Sequence, residues 1–407
     1  MKKPNFYAVI GKNFGDEGKG MAVDYISYRC RNKTLVIRHN GGAQSGHTVE
    51  IPGKRFVFQE LSSGSFRGAD TFWADTFYPD LYKLEEEMTA FAEISGFMPA
   101  IFAQPETCFT IIDDIFLNMA VENARGDARH GSCGMGIYEA KCRCESGFGI
   151  SLQELKVWDQ KRFLSRLQEI REQYTPKRME KLGLSYATMG QYGEMLQDNT
   201  MLETFAEIVL KQIKQIELVK DTKTFLNNYD TVIFENGQGL LLDCDNQRFA
   251  PHVTASKTGL SGPCSFLKRY GFELKEVLYV TRSYITRHGA GPLPYERSRE
   301  ALDIINEDAT NKENPWQGKL RYAAHGNAEE FIEAIQEDIA YLNQYDMFDS
   351  DINLLITHLN ETNNCIICKD GNYKTEKFIE QESISSLFKN IYLSDTYFAE
   401  KIKEYKR

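Results

Sequence analysis

The chain has 407 residues, 42% of them hydrophobic and 26% charged, with a formal net charge of −10. That much apolar material can fill one large domain or two to three ordinary ones, while the acidic balance argues against general affinity for nucleic acid or an anionic membrane surface. No run of about 18 uncharged apolar residues is present to span a membrane, and nine cysteines without a secretory signal are read as reduced thiols of a cytoplasmic protein.

In chain order, apolar β-branched runs predict strands at Phe6 to Ile10, Thr34 to Ile37, Thr231 to Phe234, Val277 to Ser283, Leu354 to Thr357 and Ile366 to Cys368. Helical spacing of apolar residues beside charged faces predicts helices within Met21 to Tyr28, Leu152 to Glu172, Met201 to Leu218 and Ala328 to Leu342. Strands alternating with helices imply an α/β fold with a large, mainly parallel central sheet flanked by helices. No domain boundary stands out, so the expectation is a single domain over 1–407 with helical subregions inserted at about 150–220 and 300–345. The polar stretch Asn306 to Trp316 reads as a surface loop.

Ligands of such sheets bind beyond the carboxyl ends of the strands, and the unusual residues of this chain fall at those ends. The first is Gly11-Lys12-Asn13-Phe14-Gly15-Asp16-Glu17-Gly18-Lys19-Gly20, a glycine-rich turn that suits a phosphate cradle. It is not a Walker A loop, because Asn13 stands where that pattern needs glycine and Gly20 where it needs Ser or Thr. Asp16 is left as the obvious ligand for a hard cation.

A second loop, Arg38 to Thr48, brings amides, glycines and His47 together. On its own a histidine there is equally a general acid, a phosphate donor or a solvated loop residue. A third, Phe234 to Leu240, sets glycines around Gln238, a side chain able to hydrogen-bond a purine edge. Further glycine-rich or hydroxyl-bearing turns follow at Arg129 to Ile137, Val253 to Thr258 and Thr286 to Pro292. Cys365-x-x-Cys368 has metal-like spacing, but no second pair completes a zinc set, and it reads as free thiols.

Together these segments resemble the adenylosuccinate synthetases. The family loop GDEGKG matches Gly15 to Gly20, and NAGHT matches Gln44 to Thr48. EGAQGTLLD resembles Glu235 to Asp243, VTSSNT resembles Val253 to Thr258, and TTRVGAGPFPTE resembles Thr286 to Glu296, all in family order. The resemblance implies the family's P-loop-NTPase-like fold and a magnesium-dependent ligase that joins L-aspartate to C6 of inosine monophosphate, driven by GTP. It further implies Asp16 as base and magnesium ligand, His47 as the acid assisting γ-phosphate transfer, and Lys19 as the neutralising cation. Gly46 would offer its carbonyl to magnesium, and Gln238 would stabilise the 6-oxyanion. Nucleotide contacts would fall on Gly15, Glu17, Gly18, Gly20, Asn40 and Gln44, and on Ser132, Cys133, Thr254 and Arg287. Arg143 matches the arginine that crosses the family's dimer interface, which implies a homodimer with shared sites.

Three departures bear on specificity. The aspartate loop TTGRPRR has only Gln317, Gly318, Lys319 and Arg321 as counterparts, and a lysine cannot make the bidentate arginine fork. The guanine motif TKLD appears as Thr357-His358-Leu359-Asn360, where an asparagine donates as well as accepts, so ATP or a loosened donor choice is expected over strict GTP. Asp16 is retained where a related viral branch that uses deoxyguanosine monophosphate carries a smaller residue, which favours inosine or deoxyinosine monophosphate as acceptor. The rival readings are a deoxyguanosine monophosphate-using enzyme with ATP as donor and a non-catalytic nucleotide sensor.

Overall fold

The computed structural model describes residues 3–126, 129–305 and 318–406. One ten-stranded sheet draws its strands from nearly the whole length of the chain. In chain order these are β1 (Asn5–Gly11), β2 (Thr34–Arg38), β3 (Asp70–Trp73), β4 (Ile101–Ala103), β5 (Ile216–Leu218), β6 (Thr231–Gly239), β7 (Leu274–Arg282), β8 (Asp351–Thr357), β9 (Asn390–Leu393) and β10 (Lys403–Glu404). Across the sheet the order is β10-β9-β8-β7-β1-β6-β2-β3-β4-β5. Every pairing is parallel except that of the edge strand β10 with β9.

Both faces of the central strands are buried, as near-continuous apolar runs require. Alternation along β1 divides the core: Phe6, Ala8 and Ile10 pack with Phe266, Leu267, Phe331 and Ile335 on one side. Tyr7 and Val9 pack with Met21, Ala22, Val23 and Ile26 of the first helix, Lys19–Cys30, on the other. A third core, rich in phenylalanine, gathers Phe58, Phe91, Phe109, Phe163 and Phe205 beneath the β3–β5 half of the molecule.

Three predicted elements need correction. The segment Leu152 to Glu172 is two helices, Leu152–Val157 and Gln160–Gln173, because Asp159 caps the second by accepting from Arg162 N at 2.7 Å. The segment Met201 to Leu218 stops being α-helical at Gln212, and its last three residues pair with β4 as β5. The run Ile366 to Cys368 is a strand outside the main sheet, Cys365–Lys369, in an antiparallel hairpin with Asn372–Glu376. Its two cysteines are buried side chains. Asn306 to Trp316 lies outside the described residues. Among the described residues, no helix is long and apolar enough to cross a membrane.

Candidate active site

The carboxyl ends of β1, β2, β6, β7 and β8 open onto one cleft of about 1470 Å³. The loop after β1 is organised around a buried carboxylate. Glu17 Oε1 accepts from Asn13 N at 3.0 Å and Gly15 N at 2.8 Å, while Oε2 meets Lys19 Nζ at 2.7 Å. Desolvation opposes ionisation of Glu17, yet Lys19 and the loop amides hold its carboxyl below the usual range. Glu17 does not line the cleft, so its expected nucleotide contact is corrected to an internal one; it is the post on which the loop is bent. Gly18, at φ 93, begins the helix, and Thr357 Oγ1 donates to Glu17 O at 2.8 Å, tying the loop to the end of β8. Gly15, Asp16, Gly18, Lys19 and Gly20 all face the cleft.

Asp16 sits at φ 60, a left-handed backbone that a short polar residue tolerates. Its carbonyl accepts from Arg282 Nε at 2.5 Å, and its Oδ2 lies 3.4 Å from His288 Nε2.

His47 begins a hairpin strand, His47–Ile51, and is buried. Its Nδ1 lies 2.6 Å from Glu235 Oε1, in the middle of β6; the residue lines the cleft, and its buried Nε2 has no hydrogen-bond partner among the described residues. Glu235 is sealed from solvent: Ser63 Oγ and N donate to it, and Arg38 Nη1 stands 3.7 Å away. Although desolvation opposes it, His47 and Arg38 bring the Glu235 carboxyl down to about 2. Burial lowers the His47 pKa despite that carboxylate. A carboxylate held opposite Nδ1 suits an imidazole that donates Nδ1–H to Glu235.

Gln238 reaches the cleft beside Ser45, to whose Oγ its Nε2 donates at 3.4 Å. Gln44 Oε1 is buried with no hydrogen-bond partner among the described residues, as is His39 Nε2, and both residues line the same cleft. Asn40 spends its side chain on neighbouring loops, Nδ2 donating to Lys257 O at 2.8 Å and Oδ1 accepting from Gly237 N at 2.9 Å. Thr254, Gly46, Asn360 and Ser132 also line the cleft, and Asn360 Nδ2 donates to Tyr397 Oη at 3.4 Å. Ser132 Oγ donates to Asn118 Oδ1 at 2.9 Å, and burial raises the neighbouring Cys133 thiol to about 11.

The arginines depart from expectation. Arg143 is fully buried, forked onto Asp114 with Nε at 3.0 Å and Nη2 at 2.9 Å, and its remaining donors serve the carbonyls of Phe148 and Phe109. On the helix Ile137–Arg143 this position faces inward, so the guanidinium is spent within its own chain and does not line the cleft. Arg287 does line the cleft, but it donates to Pro292 O and His252 O at 2.6 and 2.8 Å and stacks 4.4 Å from Phe14. Burial and the nearby Arg321 lower it to about 10. Arg321 is committed to Glu296 and to the carbonyls of Gly289 and Gly291. Neither it, nor Gly318, nor the exposed Lys319 lines the cleft, and Gln317 lies outside the described residues. The sequence gives no sign of a role for Glu235, since a glutamate within a strand carries no local mark of facing a histidine 188 positions away. The same is true of His288.

The fold and this cleft define an α/β protein with a large parallel sheet and a glycine-rich, phosphate-type loop at its first strand-to-helix junction. The family model for adenylosuccinate synthetase matches residues 8–314, and the chain belongs to that family. The adenylosuccinate synthetase of Thioalkalivibrio sulfidiphilus is 31% identical over 294 residues, which is 72% of this chain and 65% of the relative. The chain thus matches just under two thirds of that relative's length. The enzyme of Lactobacillus johnsonii is 30% identical over 314 residues, 74% of this chain and 67% of its own. Among solved structures, a fully ligated adenylosuccinate synthetase from Plasmodium falciparum superposes with a TM-score of 0.67 at 18% identity, covering 98% of this chain and 87% of that one. Cyanophage S-2L succinoaminodeoxyadenylate synthetase, bound to dGMP and dATP, gives 0.62 at 14% identity, covering 99% and 95%. Those two likenesses establish the fold.

Proposed function

We propose that this chain is a purine nucleotide ligase. It phosphorylates O6 of a 6-oxopurine nucleotide, inosine or deoxyinosine monophosphate, with ATP or GTP, and then displaces that phosphate with L-aspartate to give the succino-nucleotide. The observation that carries the reading is the convergence of Asp16, Lys19 and the His47–Glu235 pair on one cleft. An amide-type carbonyl is a poor electrophile, so its oxygen must first become a leaving group, and that requires a base, an acid and positive charge around one oxygen.

Asp16 takes the N1 proton and so builds negative charge on O6, which the Gln238 amide stabilises. His47 meets the transferring phosphoryl group at Nε2. There, phosphate charge offsets the desolvation that lowers the imidazole's pKa, while Glu235 fixes the ring and stabilises the imidazolium. Lys19 offsets phosphate charge from within the loop. The Asp16 carboxylate and the Gly46 carbonyl are hard oxygen donors on the cleft wall, a set that fits Mg²⁺ completed by phosphates and water. When bound, the ion supplies charge neutralisation for phosphoryl transfer. Retention of Asp16 favours an acceptor without a 2-amino group, and Asn360 beside Tyr397 suits a donor base not restricted to guanine.

Purified protein incubated with inosine or deoxyinosine monophosphate, aspartate, Mg²⁺ and either ATP or GTP yields the succino-nucleotide and inorganic phosphate, read by mass spectrometry. Absence of product and phosphate with every 6-oxopurine nucleotide tried overturns the proposal. Product only from deoxyguanosine monophosphate moves the acceptor assignment.

A further inference from the structure

The turn after Arg287 is tied down from two sides. Arg287 binds the carbonyls of Pro292 and His252 and lies against Phe14, two residues before Asp16. Arg321 Nη1 donates to the carbonyls of Gly289 and Gly291, at 3.1 and 2.8 Å. Gly289, at φ 74, packs so closely on Gly131 that a Cβ would meet its Cα at 3.1 Å. Between these anchors stands His288, with Nε2 3.4 Å from Asp16 Oδ2, and both residues line the cleft.

The Asp16 backbone is fixed separately, through the Arg282 bond to its carbonyl. What that bond does not fix is rotation of the carboxylate about its two side-chain torsions, each of which has several staggered or broad minima. His288 is the group placed to fix it.

The geometry points to His288 as a positioning residue for Asp16, an inference that rests on the proposed role of Asp16 as the base. By donating Nε2–H to Oδ2, the imidazole takes one of the carboxylate's acceptor positions and leaves the others, on Oδ1 and Oδ2, for the purine and the magnesium ion, so the base is aligned before substrate arrives. The 3.4 Å separation is longer than a closed hydrogen bond, and contacts of this kind tighten as the reactive complex forms.

The test compares wild type, His288→Val, His288→Gln and Asp16→Ala by kcat, KM for the acceptor nucleotide, melting temperature and the melting shift induced by inosine monophosphate. Loss of alignment lowers kcat of His288→Val on the order of 10- to 100-fold. KM, the melting temperature and the nucleotide-induced shift stay near wild type, and His288→Gln, which keeps an N–H donor, recovers most of the loss. Wild-type kcat in His288→Val, a loss confined to KM, or equal loss in the Val and Gln variants overturns the inference. A wild type inactive on every 6-oxopurine nucleotide overturns the proposed function and this inference with it.

Discussion

His47 Nδ1 lies 2.6 Å from Oε1 of Glu235, a carboxylate that is itself fully buried and does not line the cleft. Glu235 therefore acts only through the histidine. Glu235→Gln keeps the shape but removes the charge that orients and stabilises the imidazolium, so phosphate release should fall by roughly 10²–10⁴-fold. It also leaves Arg38 buried without its anion, and denaturant melts should show a loss of about 3 kcal/mol. Unchanged turnover in a folded variant would contradict the pairing.

Glu17 shapes the loop without touching the cleft. Glu17→Ala frees the amides of Asn13 and Gly15 and strands the Lys19 ammonium, which is 3% exposed. The expected result is a stability loss of roughly 2–4 kcal/mol together with loss of the melting shift that ATP and Mg²⁺ induce. Calorimetry with and without nucleotide separates the two effects.

Arg143 is consumed by Asp114 inside its own chain. Arg143→Leu should therefore lower stability by about 3–5 kcal/mol, the cost of leaving Asp114 unpaired. Mixing Arg143→Leu with Asp16→Ala should restore no activity beyond the sum of the two. Complementation in the mixture would show that the arginine serves a neighbouring site.

Asn360 lines the cleft with its Nδ2 donating to Tyr397 Oη, where the proposed function puts the donor base. Asn360→Asp supplies an acceptor-only group matched to guanine N1–H and N2–H, each well-placed pair being worth about 1–3 kcal/mol of base discrimination. The ratio of GTP-driven to ATP-driven turnover should rise roughly tenfold or more. Competition between the two donors measures it directly.

Asp338 is buried, with Oδ1 accepting from Leu260 N at 2.8 Å and Oδ2 from Tyr279 Oη at 2.9 Å. Desolvation raises its carboxyl to about 7 against those bonds. The folded state then holds a proton that the unfolded chain has released above pH ~4. This group's contribution is full below that value and is lost as pH climbs to about 7, at about 1.4 kcal/mol per unit. Asp338→Asn should flatten that slope and raise the melting temperature at pH 8. A wild-type slope retained in the variant would assign the titration elsewhere.

Five of the six strand runs legible in the sequence are central strands, because a parallel strand buried on both faces is a continuous apolar run. β3, β4, β5, β9 and β10 were not legible: strands of two to four residues carry too little pattern. The hydrophobic spacing of Met201 to Leu218 runs unbroken through the change from helix to strand. The loops after β1 and β2 were readable because glycine, amide and charge cluster there. The arginines were not, since one residue of helical phase turns a side chain by about 100°, enough to move Arg143 from a surface to the core.

The sequence by itself determined the parallel sheet, the phosphate-type loop and the family, for these rest on local composition and on the order of short segments. The tertiary structure alone decided the partners: Glu235 for His47, His288 for Asp16, Asp114 for Arg143 and Glu296 for Arg321. A charge finds its partner through distances between strands and loops far apart in the chain, and those distances exist only once the core has packed.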